Sequence, residues 1–547
     1  MAEHLNGTLD AIEEAIRDRE SFVVEAGAGS GKTRSLIETI QSVLNHERDE
    51  LESLDHKVVC ITYTNVAKDE IIERLNGDPL VMVDTIHEFL WAVISPYQKE
   101  LRAEVAAINS TTKIPIADLE EKLATTRITY GQYGRHFDRG ELFHDDVITV
   151  ARALFEKYPK INRIAADRFP YIFVDEYQDT AAQVVELLLD FFVKNTRKPV
   201  VGFFGDTMQQ IYDSNISNVA EAHGLRTITK VENYRCSVRV IDVLNRLRTD
   251  LAQVPSGNNR EGDVHLFLAP TADAGVHTKA LAVLGSDGWT TDNTKILMLT
   301  HRGIAREIGC AVLFDAYAKR SFGNDVLMER QDQFGQFFTF VEGLVAAYQS
   351  GRYGTFLDLL GQSGFTIKSL SDKTKVLDEV RALETVRMAG TVADVVGAVT
   401  GSKLIPLPRR VSELMNRLAN SNENDESFAR RRPHYEAVLA VPWSQVTSFI
   451  DYADQHTPFS TKHGVKGAEY ENVLVIVDDT LWRNYSFAGV FSGNDSAQRL
   501  ERSRKLLYVC FSRAISGLAV VCLNQLNAAE LAGAKALLDV ESAPLFS

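Results

Sequence analysis

The chain of 547 residues reads as an α/β protein: parallel-sheet units carrying helical insertions. Three observations predict this. Short apolar, β-rich runs recur along the chain with helical patterns between them, an alternation that favours parallel strands with helices on both sheet faces. Two long stretches, 91–170 and roughly 345–440, are helical in pattern and lack such runs. The polar, glycine-bearing segments sit just past the carboxyl ends of the proposed strands, the edge where open parallel sheets bind ligands.

Taken in order, SFVV (Ser21–Val24) is a buried strand that leads into the turn AGAGSGKT (Ala26–Thr33). The helix after it carries Leu36, Ile37, Ile40, Val43 and Leu44 on one face, the spacing of an amphipathic helix. VVCITY (58–63), YIFV (171–174) and VVGFF (200–204) are the next strands. From Arg226 the alternation resumes with RTITKV, VHLFLA (264–269), KILMLT (295–300), VLVIV (473–477) and LAVVCL (518–523). The expected division is a first sheet domain from 1–90 and 171–225 with a helical insertion at 91–170, and a second from 226–345 and 441–547 with a reduced helical insertion at 346–440. Within the latter, the polar stretch SNENDESFARRRP (Ser421–Pro433) reads as a loop or hinge.

Composition narrows the class. With 45% hydrophobic and 24% charged residues the chain has the balance of an ordinary soluble globular protein. No apolar stretch approaches the length of a membrane-spanning helix, and the acidic N-terminus lacks the apolar core of a secretory signal. Cys60, Cys236, Cys310, Cys510 and Cys522 lie far apart with no CxxC pair, which argues against zinc, iron–sulfur clusters and a disulfide framework and fits a reducing, cytoplasmic setting. The net charge of −15 leaves room for nucleic acid only along a narrow positive track.

Two segments carry the chemistry. Ala26, Gly27, Ala28, Gly29, Ser30 and Gly31 form a turn that can wrap backbone N–H groups around phosphates, with Lys32 to neutralise them and Thr33 to hold a magnesium ion. In DEYQDT (Asp175–Thr180), Asp175 stands where it can bind that ion and Glu176 where it can orient or deprotonate a water. Adjacent carboxylates at a strand end repel each other unless a cation sits there. The pair therefore implies hydrolysis of a nucleoside triphosphate. In GDTMQQIY, Gln209 is placed to sense a γ-phosphate or water and Tyr212 offers an aromatic face. ENYRC and YVCFSRA each supply one arginine in an apolar setting of the second unit; Arg235 and Arg513 read as fingers reaching the γ-phosphate across a cleft. Arg34 is either a solvated helix residue or a guanidinium stacked on a base. Thr62, Tyr63, Thr64 and Asn65, at a strand end before a helix, suit backbone phosphates and base stacking, and Thr85 and His87 of DTIHEF are placed similarly.

In order, these segments resemble the motif set of superfamily 1 helicases of the UvrD/Rep/PcrA type. AGAGSGKT looks like motif I, ITYTNVAKDEIIERL like Ia, DTIHEF like Ib, DEYQDT like II, GDTMQQIY like III, ENYRC like IV, TKHGVKGAEY like V and RSRKLLYVCFSRA like VI. The resemblance implies two RecA-like domains (1A, 2A) with insertions 1B and 2B, ATP and Mg2+ as cofactors, and single-stranded DNA or a tailed duplex as the track, followed 3′ to 5′. It further implies that Arg34 and Tyr234 sandwich the adenine, that Glu469 reaches the sugar side, and that Tyr212 and His463 join the strand-lining residues. Three positions depart from the pattern. Leu9 stands where the family has a glutamine that reads adenine, Ser214 where a second aromatic is usual, and Ser503 where a glutamate is usual. Short UvrD-like proteins of this kind, the helicase-like subunit of Gabija among them, pair with nucleases in antiphage systems. The resemblance therefore also implies an alternative role, a nucleic-acid-gated ATPase subunit that regulates a partner nuclease.

Overall fold

The computed structural model describes the chain except residues 1, 113, 132–133, 211–222, 271–274, 363–368, 403–404, 406, 421–425, 462–466, 481–483 and 547. It divides into two compact units, Met1–Asp263 with Glu501–Ser516, and Val264–Leu500 with Gly517–Ser547.

The first unit is built on a six-stranded sheet of β1 (Phe22–Ala26), β2 (Val58–Thr62), β3 (Val81–Thr85), β4 (Tyr171–Val174), β5 (Val200–Gly205) and β6 (Arg226–Lys230), in the order β3-β2-β4-β5-β1-β6. All neighbours run parallel. β2, β4 and β5 are buried along their whole length, as strands covered on both faces must be. Alternate residues separate the two faces. Val23, Val59, Ile61, Ile172, Val174, Val201 and Phe203 enter one apolar cluster, while Phe22, Val24, Val58, Cys60, Tyr171, Phe173, Val200 and Phe204 enter another with the helix Lys32–Ser53.

Several elements differ from the sequence expectation. The segment 91–170 is helical but has no separate core: Leu101, Val147, Leu154 and Phe155 join the same cluster as the strand residues beneath them. β3 was not expected, because VMVDT is short and polar at one end. β6, assigned by its pattern to the second sheet domain, instead pairs along β1 from Phe22↔Arg226 to Ala26↔Lys230. An alternating edge strand carries little record of which sheet it joins.

The second sheet has the order β7-β11-β10-β8-β9, from β7 (Asp263–Leu268), β8 (Thr294–Met298), β9 (Phe459–Ser460), β10 (Tyr470–Val477) and β11 (Ala514–Cys522). β8 lies parallel to both β9 and β10. Helices between Ala305 and Ile450 form their own apolar cluster around Phe337, Phe338 and Trp443, so the helical block begins some way before residue 346. Glu426–Leu439 is a helix despite Pro433, which corrects the loop reading of Ser421–Pro433 for its described part. Phe428, Tyr435 and Val438 pack inward while Arg430 and Arg431 face water, so the segment looks polar although one face is apolar.

At the centre of this block Glu342 is buried. It accepts from Trp443 Nε1 at 2.6 Å and from Thr447 Oγ1 at 3.3 Å, and pairs with Arg387 at 2.9 Å. Removing the carboxylate leaves the indole N–H and the guanidinium without it. Glu342→Ala is expected to cost about 3 kcal/mol, read as a lower urea midpoint of the second unit; an unchanged midpoint would refute the assignment.

Candidate active site

The turn after β1 is shaped by its neighbours in the first unit. The Ala28 carbonyl accepts from Asn233 Nδ2 at 3.0 Å and Gln253 Nε2 at 2.8 Å, and the Ala28 N–H donates to the Tyr508 hydroxyl at 3.0 Å. A Cβ at Gly27 would fall 2.0 Å from Gln253 Nε2, and one at Gly29 would meet Arg235 Cβ at 2.7 Å, so both positions need glycine. Gly31, at φ +76°, ends the turn in the left-handed region and caps the helix Lys32–Ser53. That 22-residue helix aims its free N–H groups and positive dipole end at the turn, the arrangement that binds phosphate. Lys32 is buried at the start of the helix and Thr33 is half-buried. The Ser30 hydroxyl is buried with no hydrogen-bond partner among the described residues, an acceptor and donor left for a ligand.

The acidic edge follows β4. Asp175 is buried and its N–H donates to Ile61 O at 2.8 Å, which fixes the carboxylate at the end of the strand. Glu176 takes φ +48°, a conformation that costs a non-glycine residue on the order of 1 kcal/mol. The strain is held by its N–H on Asp175 Oδ1 at 3.0 Å and by Gln178, whose Nε2 donates to Glu176 Oε2 at 2.5 Å. Beneath this edge the half-buried Glu25 accepts from the Tyr177 hydroxyl. Burial raises the Glu25 pKa, the Tyr177 bond partly opposes that, and the Asp206 charge adds to it.

Asp206, after β5, organises the third side. Its N–H donates to Gln178 Oε1 at 3.1 Å, its Oδ2 accepts from Gln209 Nε2 at 2.8 Å, and its Oδ1 faces Arg248 NH1 at 3.4 Å. Gln209 in turn accepts from Arg513 NH2 at 2.6 Å through Oε1. Arg513 is 2% exposed, and Arg235 lies beside it, with NH1 on Ser512 O at 3.4 Å. Burial lowers the Arg513 pKa and the Arg235 charge lowers it further, with Glu176 pulling the other way. Two guanidinium groups together, one of them desolvated, make a strong anion site. Both arginines belong to the first unit, not the second as their sequence positions suggest, because Glu501–Ser516 and the segment after β6 pack there.

The other predicted residues scatter more widely. Tyr234 borders the turn, its N–H on Gly29 O at 2.9 Å, and Arg34 is exposed with Nε on Glu38 at 2.7 Å. Glu469 is exposed in the second unit just before β10. Tyr63 is 52% exposed, and Thr64 and Asn65 are exposed beside it, while Thr62 is buried at the end of β2. The Thr64 hydroxyl accepts from Ala67 N, and Thr85 forms a capping box with Glu88, so both cap helices. His87 is half-buried against His144, ring centroids 4.8 Å apart. Tyr212 and His463 lie outside the described residues. Sequence reasoning did not single out Asn233, Gln253, Arg248, Tyr508 or Gln178. Asn233, Tyr508 and Gln178 stand inside recognised motifs, but none of the five has a spacing that marks it.

The set fits a magnesium nucleotide. The buried Ser30 hydroxyl lacks a partner among the described residues, Lys32 and two arginines supply positive charge, and Thr33 and Asp175 supply the hydroxyl and carboxylate oxygens that a hard cation prefers. Among the described residues no cluster of His, Cys, Asp and Glu could hold a metal ion on its own, and the five cysteines are buried and form no disulfide. Among the described residues, too, no helix is long and apolar enough to cross a membrane.

Comparison with known proteins agrees with this geometry. Residues 8–215 match the model of an AAA domain. The chain is 24% identical to the Gabija protein GajB of Bacillus cereus (strain HuB5-5), a match that covers 95% of each chain. It is 28% identical to the ATP-dependent DNA helicase PcrA of Staphylococcus aureus (strain Mu50) over 47% of this chain and 43% of that one. PcrA of Staphylococcus epidermidis matches at 28% over 43% of this chain and 39% of the relative. With the phosphate turn, the paired carboxylates and the arginine pair assembled in one unit, the chain is similar to the UvrD/PcrA-type superfamily 1 helicases, enzymes of the P-loop NTPase class.

Proposed function

We propose that this protein is an ATP-driven translocase on single-stranded DNA, moving 3′ to 5′. One observation carries the reading: phosphate turn, carboxylate pair, sensing glutamine and two arginines form one hydrogen-bonded constellation in the first unit. Lys32 and the turn N–H groups bind the triphosphate, while Arg34 and Tyr234 flank the base. Thr33 and Asp175 would hold magnesium, which when bound neutralises the phosphate oxygens. Glu176 takes the proton of the attacking water, Gln209 orients that water, and Arg235 and Arg513 stabilise the charge that develops on the transferred group. Tyr63, Thr64, Asn65, Thr85 and His87 face the strand, with exposed Tyr63 as the stacking surface. Buried Thr62 supports them from below.

A second reading has its own support. The match to the Gabija protein spans both chains nearly end to end, whereas the PcrA matches stop at under half. That favours a nucleic-acid-gated ATPase subunit controlling a partner nuclease, with little strand separation alone.

Lys32→Ala is expected to cut ATP turnover by about 100-fold or more with circular dichroism unchanged; wild-type turnover in that variant would remove the motor. Tyr63→Ala should weaken single-strand binding by roughly 1–3 kcal/mol, measured by fluorescence anisotropy at fixed salt, and equal affinity would take Tyr63 off the track. On a 3′-tailed duplex, strand separation by the purified chain supports the translocase reading. ATPase stimulation by single strands without separation supports the regulatory one.

A further inference from the structure

A chain of buried side chains joins the phosphate turn to the sensing glutamine through Tyr508 and Arg248. The Tyr508 hydroxyl accepts from Ala28 N–H at 3.0 Å and from Arg248 NH1 at 2.9 Å, and donates to Gln253 Oε1 at 3.2 Å. Every bonding position of that hydroxyl is therefore used. Arg248, whose side chain is wholly buried, lies over the Tyr508 ring and grips Asp250 with two bonds of 3.0 and 2.7 Å. Its remaining nitrogen, NH1, reaches both Tyr508 and Asp206 Oδ1. Burial alone would lower its pKa; Asp206, Tyr508 and Asp250 together reverse this and raise it.

The consequence falls on Gln209. Asp206 Oδ1 is shared by Arg248 and the Met208 N–H, so its other oxygen, Oδ2, turns to Gln209 Nε2. With the amide nitrogen held there, Gln209 presents its carbonyl oxygen to Arg513. That oxygen is the end of the amide that can accept a hydrogen from water. The pair with Asp250 occupies Nε and NH2, and the NH1 hydrogens run toward the site, to Tyr508 and Asp206.

We infer that Tyr508 and Arg248 are positioning residues for hydrolysis, locking the Ala28 peptide and the Gln209 amide in one register so that the phosphate turn and the water-orienting group are set together. This rests on the ATPase reading. The test compares Tyr508→Phe and Arg248→Gln, each alone and combined with Gln209→Ala, for single-strand-stimulated turnover at saturating ATP, affinity for a fluorescent ATP analogue, and Tm. Each single variant is expected to lose about tenfold or more in kcat, with analogue affinity within about threefold of wild type. In the Gln209→Ala background each should add almost no further loss, since residues acting through one group are non-additive. Losses that multiply with Gln209→Ala, or a kcat within twofold of wild type, would overturn the inference. Tyr508→Phe keeps the ring in the core and removes a single hydroxyl, so it decides the matter even if Arg248→Gln does not fold. Wild-type turnover by Lys32→Ala would instead bring down the ATPase reading, and this inference with it.

Discussion

The first unit depends on a single peptide. Ala28 offers one N–H and one carbonyl, and three side chains from far along the chain use both: Tyr508, Asn233 and Gln253. Each of these bonds is buried, where the alternative is an unpaired polar group rather than a bond to water. The glycines on either side of Ala28 let the partners approach this closely. Phosphate binding explains why a glycine-rich turn exists here. The Ala28 bonds explain why the segments around Asn233, Gln253 and Tyr508 fold against it and bring Arg235 and Arg513 into the same unit.

Charge is arranged by the same logic. Glu25, Asp206 and Asp250 influence one another through the interior of the unit, and Arg248 is the cation among them. Burial raises the Glu25 pKa, and the charges of Asp206 and Asp250 add to the rise. On the opposite side, Arg513 and Arg235 concentrate positive charge where burial disfavours it. The protein thus holds an unfavourable pair of cations beside a strained Glu176, a combination found where a ligand anion and a reacting water are expected.

The second unit shows how apolar packing hides in a polar sequence. Its helical block closes around Phe337, Phe338 and Trp443, with one buried carboxylate, Glu342, satisfied by three donors. Phe428 anchors a helix in which Arg430 and Arg431 face outward, with Arg417 stacked on its ring at 4.3 Å. Counting polar residues made this stretch a loop; the spacing of the few apolar ones made it a helix.

Sequence alone determined whatever is written in contiguous residues. The apolar runs gave most of the strands, the order of the motifs gave the family resemblance, and Lys32, Thr33, Asp175 and Glu176 stand in contiguous strand-end motifs because strand-end chemistry is local. Only the tertiary structure decided which sheet Arg226–Lys230 joins, which unit holds Arg235 and Arg513, and that Thr64 and Thr85 serve as helix caps. It also brought out Arg248 and Tyr508, 260 positions apart in sequence. The reason is physical: strand and turn propensities act over a few residues, whereas an edge strand's partner and a buried hydrogen bond are set by long-range packing, which leaves no local pattern to read.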